Sequence, residues 1–190
     1  MEKFTKHTKV KESNEEVNKT LWENDYLKVI DAEGWTVVDE KDMVVSLPYL
    51  VEYGQVMFRL EDIPTFKLKY PAMDKFVTCL SGSIEAGESA KDALLREAEE
   101  EMGLVIKPEY EPELIKVLFA SKGNTAQYHI YLMPLYEKDY YEVIPKGDGS
   151  KSEAKSKNAK IDVKYLNSIN TNDLITTYLI DALKKHINML

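Results

Sequence analysis

Apolar residues recur along this chain in two rhythms: short β-type runs, and two longer stretches with helical spacing. Residues 26–30 and 35–38 are short apolar runs separated by Asp31, Ala32, Glu33 and Gly34, which predicts a turn and hence a hairpin. Residues 43–50 form a β-branched, apolar run ended by Pro48 and Tyr49. Gly54 then turns the chain into a second run at 55–60, and the two read as central strands of one sheet. Pro64 and Pro71 bracket an irregular, partly basic segment containing Lys67 and Lys69, followed by another apolar strand at 76–80. The strongest helical pattern comes next. Ser89 is a plausible N-cap with Asp92 three residues later, residues 90–102 are almost all good helix formers, and Gly103 supplies the stop. Residues 114–119 and 128–136 read as strands flanking a loop at 121–127, and the polar stretch 146–160 reads as a long mobile loop. A last strand at 161–166 precedes a helix that Thr171 or Asn172 can cap, with apolar spacing over 174–183. Many strands with one central and one C-terminal helix predict an α+β fold, a mixed sheet covered by helices.

Composition narrows the function classes. The chain has 190 residues, 44% of them hydrophobic, enough for one good core, and a net charge of −8 that excludes a basic nucleic-acid coat. Its single cysteine, Cys79, cannot form an internal disulfide, and no stretch approaches the ~18 consecutive apolar residues of a membrane span. The opening segment MEKFTKHTKVKES lacks the apolar core of a secretory signal, so the expectation is a cytoplasmic protein. Residues 1–20 hold few large apolar groups and read as a mobile arm or short surface helix, leaving 21–190 as the folded domain with 21–42 as its N-terminal hairpin.

The chemistry concentrates in GSIEAGESAKDALLREAEEEMGL, residues 82–104. On a helix, Glu97, Glu100 and Glu101 follow i, i+3, i+4 spacing and share one face. Like charges so placed repel, which solvent or a cation must relieve; Mg²⁺ or Mn²⁺ takes oxygen ligands of this kind and leaves positions for water and phosphate. Read alone, EAEEE is the usual pattern of a solvated surface, charged blocks being common surface decoration. The flanks favour a site: Gly82 lets a loop or carbonyl approach, Glu88 precedes the helix, and Arg96 can hold a carboxylate in a fixed orientation.

The segment resembles the Nudix box: Gly, five residues, Glu, seven residues, Arg-Glu, an apolar residue, any residue, Glu-Glu, any residue, Gly, apolar. Gly82, Glu88, Arg96, Glu97, Ala98, Glu100, Glu101, Gly103 and Leu104 fill its specified positions. The resemblance implies a loop–helix–loop in an α/β/α sandwich with a mixed β-sheet, and Mg²⁺-dependent hydrolysis of a nucleoside diphosphate linked to another moiety. By that similarity Glu97, Glu100 and Glu101 would bind metal with a carbonyl of Ser81 or Gly82, Glu100 and Glu101 serving catalysis too. Arg96 would orient a glutamate, and Glu88 and Gly103 would shape the box.

Around the box, residues 21–187 resemble the ADP-ribose pyrophosphatase-like branch, with Ser121, Gly123 and Thr125 in its following loop. This implies ADP-ribose or an ADP-sugar-like substrate and a homodimer made by exchanging N-terminal strands, with 26–38 as the contact. The other reading of that hairpin is a monomer's edge. Arg59 matches a position near substrate phosphate or the dimer contact, although a surface ion pair would also place an Arg there. Glu153, with Asp148 as fallback, would assist the attacking water from the 146–160 loop, or else be a counter-charge to Lys146, Lys151, Lys155, Lys157 and Lys160. Phe66, Tyr70, Tyr128 and Tyr131 could stack on a base but fit ordinary packing, as do His129 and Cys79. Because the box does not choose the attached groups, dinucleotides, NADH, nucleoside triphosphates and capped RNA remain alternative substrates. A nucleotide-sensing module without turnover and a plain interaction protein are the non-enzyme readings.

Overall fold

The computed structural model describes residues 18–147 and 155–188. Its centre is β4 (Met43–Leu50), buried along most of its length because it is paired on both edges and covered on both faces. On one edge it runs parallel to β10 (Asn124–Leu135), with Met43 opposite Tyr128 and Leu50 opposite Leu135. On the other edge it pairs first with β7 (Leu80–Ser83), from Met43 to Ser46, and then with β5 (Gln55–Glu61), from Tyr49. Pro48, which has no N–H to give, sits where that edge passes from one partner to the other.

Among the described residues the main sheet has ten strands. It continues from β10 through β3 (Trp35–Glu40), β2 (Leu27–Ala32) and β1 (Asn18–Glu23), and from β5 to β12 (Lys157–Asp162); β6 (Phe76–Thr78) pairs with β5, and β9 (Glu113–Ser121) with β10. Alternation divides the core into two layers. Val44, Leu80, Tyr131 and Met133 face α2 (Ala90–Met102), packing with Ala93, Leu94, Ala98 and Met102. Val45, Leu47, Phe58, Ile130 and Leu132 face the other way, against Leu179, Ile180 and Leu183 of α3 (Leu174–Asn188). Helix, mixed sheet and helix are thus stacked, the α/β/α sandwich expected.

The structure corrects several boundaries. Part of the expected N-terminal arm, from Asn18, is strand β1, held by pairing with β2 although every residue of it is exposed. Pro64, rather than opening an irregular segment, occupies the first turn of a short helix, α1 (Pro64–Lys69), anchored where the Phe66 ring meets Phe76 edge-on at 4.7 Å. The loop expected at 121–127 shrinks to the tight link at Lys122 and Gly123, because Asn124 and Thr125 bond to Glu40 and Asp39 on β3. The expected long loop ends early in β12, whose lysines suit an edge strand. The final strand stops at Asp162, and residues 163–166 belong to a 3-10 helix, Val163–Ser168. Asp173, not Thr171 or Asn172, caps α3: its Oδ2 accepts from Thr176 N at 2.7 Å, while Thr171 donates to Val77 O at 2.6 Å. Two three-residue strands, β8 (Leu104–Ile106) and β11 (Tyr140–Glu142), form a small separate sheet beyond the end of α2.

Candidate active site

The segment β7–α2–β8 is built from local signals. Ser89 has extended backbone and its Oγ accepts from Asp92 N at 3.1 Å, satisfying a first-turn N–H. At the other end Gly103 adopts φ 68°, and a Cβ there would lie 2.1 Å from Val143 O, so only glycine ends the helix here. Between them, fewer than two turns of helix carry Arg96, Glu97, Glu100 and Glu101.

Arg96 organises the group, and its guanidinium has five N–H donors. Nε and Nη2 grip Glu88 at 2.9 and 3.0 Å, Nη1 reaches Glu97 at 2.7 Å and Glu100 at 3.1 Å, and Nη2 also donates to Ser83 O at 2.9 Å. The loop, the strand and the helix are therefore tied at one residue. Donation from Arg96 holds the Glu88 carboxyl below the ordinary carboxylate range, helped by the Glu85 N–H at 3.0 Å, and Glu88 in turn keeps Arg96 firmly protonated.

A cavity of about 480 Å³ opens beside this cluster. Ser81, Gly82 and Ser83 of β7 form one wall, and Arg96, Glu97, Glu100 and Glu101 the next; Tyr26, Leu27, Glu40, Lys41 and Met43 complete it. Lys41 bridges to Glu85 at 2.8 Å on the rim. The volume falls in the range of small-molecule and cofactor sites, about 300–1,000 Å³.

No protein-family model matches the sequence, and no curated protein matches it. Among solved structures the chain is similar to one described as the crystal structure of ADP compounds hydrolase, with TM-score 0.63 over 90% of this chain and 91% of that one, at 14% sequence identity. The chain has a Nudix fold.

In this Nudix fold α2 is the box helix, and a divalent cation can be tested against the residues present. Gly82 supplies one answer: a Cβ there would fall 1.9 Å from Glu97 Cδ, so the glycine is the cradle that admits the Glu97 carboxylate against β7. Charge supplies another. Glu88, Glu97, Glu100 and Glu101 share the guanidinium groups of Arg96 and Arg59, leaving an excess of negative charge on the cluster. The donor set is all oxygen, which fits a hard ion. As placed, no three carboxylate, imidazole or thiolate groups among the described residues converge on one point, because Glu97 and Glu100 lie in the Arg96 fork.

The structure gathers Ser81, Gly82, Glu97, Glu100, Glu101 and Arg96 on the cavity wall, with Glu88 behind Arg96 and Gly103 at the helix end. Arg59 is not on that wall. It lies at 4% exposure behind Glu101, in contact with Glu61 as well. Glu153, Asp148 and Lys151 lie outside the described residues; Gly147 and, on strand β12, Asn158 both donate to the last turn of α2. Tyr131 belongs to the core, and His129 stands 4.0 Å from Asp42, away from the cavity lining. Cys79 is buried against Thr176, and burial pushes its thiol up to about 12, as expected of a packing residue rather than a nucleophile. Sequence reasoning missed Tyr26, Lys41 and Asn158 as parts or supports of the site. Tyr26 opens the first predicted hairpin strand and Lys41 follows the second, a clue to a rim position; Asn158 lay in a stretch taken for loop and carried none.

Proposed function

We propose that this protein is a Nudix hydrolase that cleaves the pyrophosphate bond of a nucleoside diphosphate linked to another moiety, an ADP-sugar-like compound such as ADP-ribose. The observation that carries the reading is the complete box on a loop–helix–loop, with Glu97, Glu100 and Glu101 facing a cavity of about 480 Å³. The likeness to an ADP compounds hydrolase supports it at the level of fold.

Glu97, Glu100 and Glu101, with a carbonyl of Ser81 or Gly82, would hold Mg²⁺, for which Mn²⁺ would substitute. When bound, such an ion neutralises pyrophosphate charge and lowers the pKa of a water. Arg96 keeps Glu97 and Glu100 on the cavity side of the helix, and Glu88 holds Arg96 in place. Lys41, on the rim beside Glu85, offers a cation to an arriving phosphate. The reaction is water attack at one phosphorus with departure of the bridging oxygen on the other phosphate. With ADP-ribose the products are AMP and ribose 5-phosphate. Glu153, which lies outside the described residues, is the candidate to take the proton of the attacking water.

The test is incubation of the purified protein with Mg²⁺ and ADP-ribose, sugar nucleotides, dinucleotides and triphosphates, the products resolved by chromatography. Hydrolysis of an ADP-linked diphosphate, lost in Glu100→Gln and Glu101→Gln, is the expected result. Turnover of nothing in the panel would overturn the reading.

A further inference from the structure

Every α-helix ends in carbonyls that its own N–H groups cannot reach. In α2 two of these are met from outside the helix. Gly147 N–H donates to Glu100 O at 2.9 Å, and Glu101 O accepts from Arg59 Nη1 at 2.6 Å and from Asn158 Nδ2 at 3.1 Å. The same guanidinium also reaches the Glu101 side chain, Nη2 to Oε1 at 3.5 Å. Glu101 is therefore gripped at its backbone and its carboxylate by one buried cation.

Burying a guanidinium is costly unless its donors are answered. Besides Glu101, Arg59 has Glu61 Oε1 at 3.3 Å and Asn158 Oδ1 at 3.4 Å. Strand register makes the last contact possible: Asn158 lies directly opposite Arg59 in the antiparallel pair of β5 and β12. Its amide oxygen faces the guanidinium while its nitrogen faces the Glu101 carbonyl, so one side chain ties β12, β5 and the end of α2 together. Glu101 lines the cavity and Arg59 stands behind it.

We propose that Arg59 and Asn158 are positioning residues, a clamp that sets the Glu101 carboxylate for a divalent cation, and that Arg59 acts through Glu101 instead of touching substrate phosphate. This rests on the reading of the cavity as a cation site. Outer partners that orient a metal ligand typically change metal affinity about 10–100-fold when removed.

The test measures Mn²⁺ binding, by calorimetry and by the electron paramagnetic resonance of free Mn²⁺, in the wild type, Asn158→Ala and Arg59→Lys, followed by ADP binding at saturating Mn²⁺. Circular dichroism verifies that each variant is folded. The clamp predicts Mn²⁺ affinity weakened about tenfold or more in both variants, with ADP affinity at saturating Mn²⁺ unchanged. Unchanged Mn²⁺ affinity in Asn158→Ala overturns it, as does an Arg59→Lys protein that binds Mn²⁺ normally and loses ADP, the mark of a phosphate contact. If Arg59→Lys does not fold, Asn158→Ala decides alone. A wild type with no saturable Mn²⁺ site would overturn the cation reading itself, an outcome distinct from wild-type binding that the variants leave intact.

Discussion

Arg96 and Glu88 form a two-pronged ion pair whose proton linkage can be followed by pH. Arg96 holds the Glu88 carboxyl below its ordinary value of 4.5, so the folded chain binds this proton less tightly than the unfolded one. A depressed carboxyl stabilises the fold above its unfolded value, and that contribution disappears as pH falls through the folded value. Glu88→Gln should therefore melt lower than the wild type at pH 7, and the gap should close below pH 4.5, read by thermal unfolding across the range. A gap independent of pH would place the stabilisation elsewhere. Gly82 makes a second residue-scale prediction. A methyl group there meets Glu97 Cδ at 1.9 Å and Cγ at 2.2 Å, so Gly82→Ala must displace the carboxylate. Calorimetry should show Mn²⁺ affinity reduced about tenfold or more in a protein that still unfolds cooperatively. At this scale the box residues were legible because their relations are local: Arg96 meets Glu97 and Glu100 within one helical turn. The role of Arg59 was not legible, since the residues it bonds, Glu101 and Asn158, are 42 and 99 positions away.

At the scale of elements, α2 was readable to the residue because both its stops are chemical, a serine cap and a left-handed glycine. The second stop can be tested. Gly103→Ala puts a β-carbon into a left-handed conformation and 2.1 Å from the backbone oxygen of Val143, so the loss should be at least about 2 kcal/mol, measured by urea unfolding. Ser89→Ala, which removes only the cap, should cost about 1 kcal/mol, and the reverse ranking would contradict the geometry. Strand β1 escaped notice and the start of β12 was placed late, at Ile161, for the opposite reason. Asn18–Glu23 and Lys157–Asp162 have no apolar alternation strong enough to announce a strand; they exist because β2 and β5 offer unpaired edges. The three-residue strands β8 and β11 are too short to carry a period at all. Central strands such as Met43–Leu50, covered on both faces, write their burial into composition; edge strands borrow their structure from a neighbour.

For the molecule as a whole, the ribbon β1–β2–β3 stands out among the described residues for carrying both tryptophans exposed. It joins the body thinly: among the described residues β3 pairs with β10 at Val38 and Asn124, and beside that pair Thr125 and Asn124 donate side-chain bonds to the carboxylates of Asp39 and Glu40. Register puts Trp22, Val29 and Val38 on one face and Ile30, Val37 and Trp35 on the other, so the ribbon is apolar on both sides. Trp22 is 53% exposed and Trp35 64%. A single chain can cover one face of such a ribbon with its own body; large apolar side chains on two faces call for a second surface, and a second copy of this chain offers the same ribbon in return. The expected state is a homodimer, with an interface on the order of 1,600 Å², measured as a doubled mass by light scattering after gel filtration. Trp22→Lys combined with Trp35→Lys should yield the monomer mass while leaving α2 and both core layers folded by circular dichroism. Because Tyr26 and Leu27 line the cavity, separating the copies should also disturb ligand binding there, and ADP affinity at saturating Mn²⁺ should fall in the double variant although no box residue has changed. A wild type that runs as a monomer at every concentration tested would show that the ribbon is an exposed hairpin and no more.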